Sequence, residues 1–433
     1  MLSLLGDRRF RDCGGATRRD FLTVGALGIG GLGLSELLAS RAAAEPGASG
    51  KQTSVVWLWL GGGATHIETF DPKMTAPKEI RSVTGEVSTV LPGVTLGGTF
   101  REMAQVADRL AFVRSFTHKN SSHGGGTHWV MTGYDNKQVD NGGKASRPAL
   151  GAIAAKVRGA NHPVSGMPTY VRLGGIGSDG PAYLGTQFAP FDPQGQARKN
   201  LTLQTKLERL EDRRSLLEGL DRFQRAADAG GLMNGLDKFE EQAFNLILGN
   251  APDAFDLTKE DPRLVAKYGK DLGQQMLVAR RLCEAGCGFV TVSFGGWDMH
   301  SNLKQGVKRR GPLVDHAVAT FVQDIFDRGL NDQILLVVTG EFGRTPRINK
   351  NGGRDHWAPL STLALSGGGL KMGQVVGASN ATAELPATKP ITPQDLMATI
   401  FDVLGIDRKL QFVNQAGRPV HVLEEGTPIR ELA

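Results

Sequence analysis

Six short apolar runs constrain the fold of this chain more than any other feature. They are TSVVWLWL (53–60), AFVRSF (111–116), TYVRL (169–173), FVTVSF (289–294), QILLVV (333–338) and LSTLALSG (360–367). A continuous apolar run with β-branched residues, not an alternating one, reads as a strand buried on both faces. Helical patterns separate them: FREMAQVADRL, RPALGAIAAKV with Pro near its first turn, GQQMLVARRLCEAG, PLVDHAVATFVQDIFDRG and TPQDLMATIFDVLG with a Thr cap. Alternating strands and helices predict an α/β fold, a largely parallel sheet with helices on both faces. The charged stretch near 201–251 reads as a helical insertion into a single domain over 50–433.

The first 44 residues read differently. Arg18 and Arg19 precede Phe21 and Leu22, a Gly-rich apolar stretch follows, and Ala42–Ala44 offer small residues for cleavage. This pattern resembles a twin-arginine export signal. It implies the twin-arginine translocase as a partner and a periplasmic or secreted destination. The run is too short and broken for a permanent membrane span. The net charge is +6, and residues 1–44 hold six Arg against four acids, which leaves about +4 for the remainder. Cations do not cluster with aromatics, so nucleic acid is not an expected partner. Cys13 leaves with the leader; Cys283 and Cys287 read as small core residues.

In open parallel sheets, ligands bind beyond the carboxyl ends of strands. After the first run comes GGGATHIETFDPK, with His66, Glu68 and Asp71. After the second comes THKNSSHGGGTHW, with His118, Ser122, His123 and His128. After FVTVSF comes GGWDMHSN, with Asp298 and His300, and after QILLVV comes TGEFGRTP and then GGRDHW, with Glu341, Arg344, Asp355 and His356. Seven of the nine histidines lie in or beside such loops, His162 being the least clear of them. Imidazole and carboxylate together favour a divalent metal: zinc first, with manganese or iron as alternatives. Arg344, Arg347 and Arg354 suit a bound oxyanion. A competing reading makes Arg344 and Asp355 an ion pair that locks the loop. The five-residue spacing of His118, His123 and His128 does not place them on one helix face.

The motifs GGGATHIETFDPK, GGWDMHSN and TGEFGRTPRIN…GGRDHW closely resemble the secreted bacterial family known as domain of unknown function 1501, over nearly all of the chain after the leader. That family is similar in fold to the alkaline phosphatase and sulfatase superfamily. The resemblance implies a metal centre at the carboxyl edge of the sheet and hydrolysis of phosphate or sulfate esters, on a small molecule or a polysaccharide. It places Glu341 at an Asp-ligand position and Phe342 where a His ligand would stand. It makes His356 a later metal His and gives Asp298 and His300 another part of the centre. Gly61–Gly63 occupy the place of a ligand Asp, which leaves His66, Glu68 or Asp71 to substitute. SSHGGGTHWVMTG resembles the sulfatase signature, with His123 at the nucleophile position and Ser122 as the nearest hydroxyl. The implied metal set is His66, Asp71, His123, Asp298, His300, Glu341 and His356. Ser122 or a metal-bound water is the nucleophile, and Arg344 stabilises charge. The alternative is a non-catalytic metal- or ligand-binding envelope protein that keeps the fold.

Overall fold

The computed structural model describes residues 52–193 and 251–433. The leader, its twin-arginine pair and the stretch read as a helical insertion lie outside the described residues.

The six runs form strands: β1 (Ser54–Trp59), β2 (Ala111–Val113), β3 (Tyr170–Leu173), β4 (Phe289–Ser293), β5 (Ile334–Thr339) and β6 (Leu363–Gly367). A short β7 (Gln374–Val376) completes a seven-stranded sheet of order β7-β2-β6-β5-β1-β4-β3. β1 lies inside the sheet and pairs in parallel with β5 on one side (Trp57 opposite Val337) and with β4 on the other (Trp57 opposite Thr291). Only β6 runs antiparallel to its neighbours. The largely parallel sheet expected from the sequence is therefore present.

Side chains along β1 alternate between two cores, which is why the run is apolar throughout. Val56 and Leu58 pack with α3 (Leu272–Glu284) and α4 (Leu303–Asp327). Val55, Trp57 and Trp59 pack with α1 (His123–Thr132), α2 (Leu150–Arg158) and α5 (Pro393–Leu404). Helices thus cover both faces, as the strand composition demands. α5 begins with a capping box, in which the Thr392 hydroxyl accepts from the Asp395 amide and the Asp395 carboxylate accepts from the Thr392 amide. Among the described residues no helix is long and apolar enough to cross a membrane.

Two helix readings need correction. α4 does not start at Pro312 but nine residues earlier, at Leu303, with Pro312 in its interior. Leu303 and Val307, both buried, extend the core-facing stripe upstream, and that burial outweighs the preference of proline for a first turn. FREMAQVADRL is a five-residue helix (Arg101–Gln105) followed by a 3₁₀ turn (Ala107–Arg109).

Candidate metal centre

Three strand ends at the middle of the sheet deliver the central polar cluster. β5 ends at Thr339, and Gly340 leads to Glu341. β4 ends at Ser293, and Gly295–Gly296 lead to Asp298 and His300. β1 ends in the glycine turn 61–63. This turn needs glycine, because a Cβ on Gly62 (φ +102°) would stand 2.5 Å from the Asp298 amide nitrogen. His356 arrives by a small hairpin in which Gly343 pairs with Trp357 and Arg344 with His356. The segment between them folds onto the Asp298 loop. Gly353 abuts the His300 backbone so closely that a Cβ would sit 2.0 Å from the His300 carbonyl carbon.

Asp298 is the hub. Its Oδ1 lies 3.0 Å from His300 Nε2 and 3.1 Å from His356 Nε2, and the two ring nitrogens are 3.0 Å apart. The far nitrogen of each ring is fixed by an acceptor. His300 Nδ1 donates to Asp355 Oδ1 at 2.7 Å, and His356 Nδ1 donates to the Ser121 carbonyl at 3.0 Å. In the neutral rings both Nε2 atoms then carry lone pairs. Burial lowers the proton affinity of His356 and favours that neutral form. Burial would raise Asp298, but the hydrogen bond and charge of Arg344 and the His356 contact outweigh it and hold the carboxyl well below its ordinary range. The Asp355 carboxyl is also held low by its hydrogen bond from His300. With both rings in that tautomer, Asp298 Oδ1 and the two Nε2 atoms converge within about 3 Å of one another. A proton on one ring or a bound cation satisfies that arrangement.

His123, the first residue of α1, bridges the cluster to Glu341. Its Nδ1 lies 2.7 Å from Glu341 Oε1 and its Nε2 3.3 Å from Asp298 Oδ2. The hydrogen bond to Glu341 raises its proton affinity. Glu341 Oε1 also accepts the Gly62 amide at 2.8 Å, while Oε2 is buried without a partner. One acceptor of the Glu341 carboxylate is therefore free. Phe342, buried at the expected His position, lines the imidazoles, with ring centroids 4.5 Å from His356 and 5.2 Å from His123.

Other sequence-expected residues sit elsewhere. His66 Nε2 donates to the Ala383 carbonyl, 2.9 Å away, and its burial lowers its proton affinity. Asp71 faces Lys73, Arg114 and the Ser379 hydroxyl. Neither has a partner in the Asp298 cluster. His118 hydrogen-bonds the Glu341 carbonyl at 2.6 Å, and His128 hydrogen-bonds the Tyr134 carbonyl on the other side of α1. The Ser122 hydroxyl is engaged by Asn120 Oδ1 and Asp140 Oδ2, each at 2.6 Å.

The arginines differ from the oxyanion reading. Arg344 is fully buried, and its guanidinium donates to the carbonyls of Gly62, Gly63 and Arg354 and to Asp298 Oδ1. It braces Asp298, and its expected partner Asp355 takes His300 instead. Arg354 is buried against Glu68, and Arg347 pairs with exposed Glu79. Asp355 and the Ser121 carbonyl, which fix the two tautomers, were not singled out for that task. The Asp-His step in GGRDHW was the available signal for the first, and no sequence pattern marks the second.

No curated protein matches the sequence. Solved structures similar to it include a sulfatase from Pseudoalteromonas sp. (13% identical, 86% of this chain and 70% of that one, TM-score 0.36). The lipoteichoic acid synthase of Listeria monocytogenes is 9% identical over 82% of this chain and 73% of that one, with TM-score 0.36. A phosphonate monoester hydrolase from Silicibacter pomeroyi is 14% identical over 82% and 74%, with TM-score 0.33. The profile of the family described as "Protein of unknown function (DUF1501)" matches residues 52–433, and the chain belongs to that family.

Proposed function

We propose that this chain is an exported, metal-dependent hydrolase of phosphate or sulfate esters. The observation that carries the reading is the triangle of Asp298 Oδ1, His300 Nε2 and His356 Nε2, each pair 3.0–3.1 Å apart with both Nδ1 atoms already committed. The buried, unpartnered Glu341 Oε2 adds a further oxygen to the donor set. Imidazole with carboxylate fits zinc first and manganese or iron next. Asp298, His300 and His356 would hold the ion, with His123 and Glu341 beside them; His66 and Asp71 belong to a separate constellation. A bound divalent ion polarises an ester oxygen and lowers the pKa of a coordinated water.

The chain's own groups do the rest. Asp355 and the Ser121 carbonyl keep the ring lone pairs turned inward. Arg344 holds Asp298 ionised and in place. His123, its proton affinity raised by Glu341, can hold a proton at Nδ1 beside the reacting group. Solvent water is the proposed nucleophile. Ser122, one residue before His123, is the covalent alternative, with Asp140 as the acceptor of its proton. The substrate is a small-molecule or polysaccharide ester met in the periplasm or outside the cell, after passage through the twin-arginine translocase.

A non-catalytic metal-binding role is the second reading. It is favoured by Arg344, whose donors go to the chain itself. Hydrolysis of an aryl phosphate and an aryl sulfate, with and without added zinc or manganese, decides between them. Metal-dependent turnover abolished in His300→Ala supports the hydrolase. Bound metal with no turnover on either ester supports the second reading.

A further inference from the structure

Arg310 is half-buried on the core-facing stripe of α4. It shares a face of α4 with Leu303, Val307 and Val314, all buried. A cation placed there ordinarily finds an acid. Arg310 has none: no hydrogen bond or ion pair to another described residue engages its guanidinium, and its Nε is buried without an acceptor. Burial accordingly lowers its proton affinity.

Its direction explains the cost. The guanidinium lies over Phe294, 5.3 Å from the ring centroid, and against Gly296. A Cβ on Gly296 (φ +89°) would stand 2.1 Å from one terminal nitrogen, so glycine is what admits the side chain. Gly295 and Gly296 are exposed and lead directly to Asp298. Their two amides, like that of Asp298, have no hydrogen-bond acceptor among the described residues. An unpaired planar cation beside unengaged amides suits an oxyanion.

We infer that Arg310 and the Gly295–Gly296 turn form a second oxyanion subsite flanking the Asp298 cluster, so that the substrate is an ester carrying a further sulfate, phosphate or carboxylate group away from the scissile bond. This rests on the hydrolase reading for the word substrate, while the subsite itself is testable by binding alone. Arg310 is a specificity residue in it, and the cluster does the chemistry.

Calorimetric titration uses three matched pairs: a disulfated and a monosulfated disaccharide, a sugar bisphosphate and monophosphate, and a sulfated sugar with and without a carboxylate. The wild type should bind the doubly charged member of at least one pair tenfold or more tightly. Arg310→Gln should bring that ratio close to one, Arg310→Lys should restore part of it, and His300→Ala should leave it in place. Gly296→Ala, which keeps the charge but crowds the guanidinium, should also lower it. Far-ultraviolet circular dichroism confirms folding of each variant. A ratio near one in the wild type for all pairs, or one unchanged in folded Arg310→Gln, overturns the subsite. An Arg310-dependent ratio without hydrolysis of any ester leaves the subsite standing and removes the hydrolase reading instead.

Discussion

The loop after β1 and the loops after β4 and β5 draw on the same residue types and fold to opposite ends. After β1, Glu68 is 0% exposed and every acceptor is answered. Arg354 supplies two donors at 2.9 and 3.1 Å, the Thr65 hydroxyl one at 2.7 Å and the Val83 amide one at 3.2 Å. Around Asp298, which is 43% exposed, two imidazoles and the carboxylate crowd together. The first region is a closed structural pair. The second is half-exposed and leaves Glu341 Oε2 without a partner, and a ligand-ready site is distinguished from a locked loop by that openness, not by its residue types.

Breaking the closed pair should give the largest effect. Arg354→Met leaves Glu68 buried without a counter-charge, and is expected to cost about 3–5 kcal/mol. Urea unfolding should show the midpoint fall with the slope unchanged. A loss under about 1 kcal/mol would mean the pair is not the lock described.

Next comes acid. Burial depresses His118 to about 4 from its ordinary 6.5. The unfolded chain therefore takes up a proton below pH 6.5 while the folded one does not until about pH 4, so stability rises with pH across that window. At about 1.4 kcal/mol per pH unit the contribution lost on acidification approaches 3 kcal/mol. Denaturant midpoints measured from pH 7 to 4 should fall accordingly, and His118→Gln should flatten the dependence.

The ligand-ready region responds in affinity more than in stability. Asp355→Asn weakens the tautomer lock on His300 and should lower zinc affinity 10- to 100-fold, the range for partners that orient a metal-binding imidazole. Competition with a chelator measures it. Ser122→Ala should give the smallest change, kcat within about tenfold for a solvent nucleophile. A loss of several orders of magnitude would establish the covalent route.

Much of this was legible in the sequence. The runs at 53–60 and 333–338 had to be buried strands, and from that followed the sheet edge where Glu341, Asp298, His300 and His356 meet. What the sequence did not show was which polar residues cancel. Glu68 and Arg354 are 286 positions apart, and nothing local marks them as partners. Arg344 looked free to hold an anion because its carbonyl acceptors come from Gly62 and Gly63, on another strand end. The start of α4 was missed because the pattern from Pro312 on was read without the core that Leu303 and Val307 enter.

The account's central claim is that Asp298, His300 and His356 hold a metal. Elemental analysis of the purified protein beside its His300→Ala, His356→Ala double variant tests it most directly. The arrangement calls for about one equivalent or more of zinc, manganese or iron in the wild type and a sharp loss in the variant. Urea midpoints of the two metal-stripped proteins should agree within about 1 kcal/mol, because the rings are partly exposed and no core is removed. Full metal content in the folded double variant, or none in the wild type after growth with the metal supplied, would contradict it.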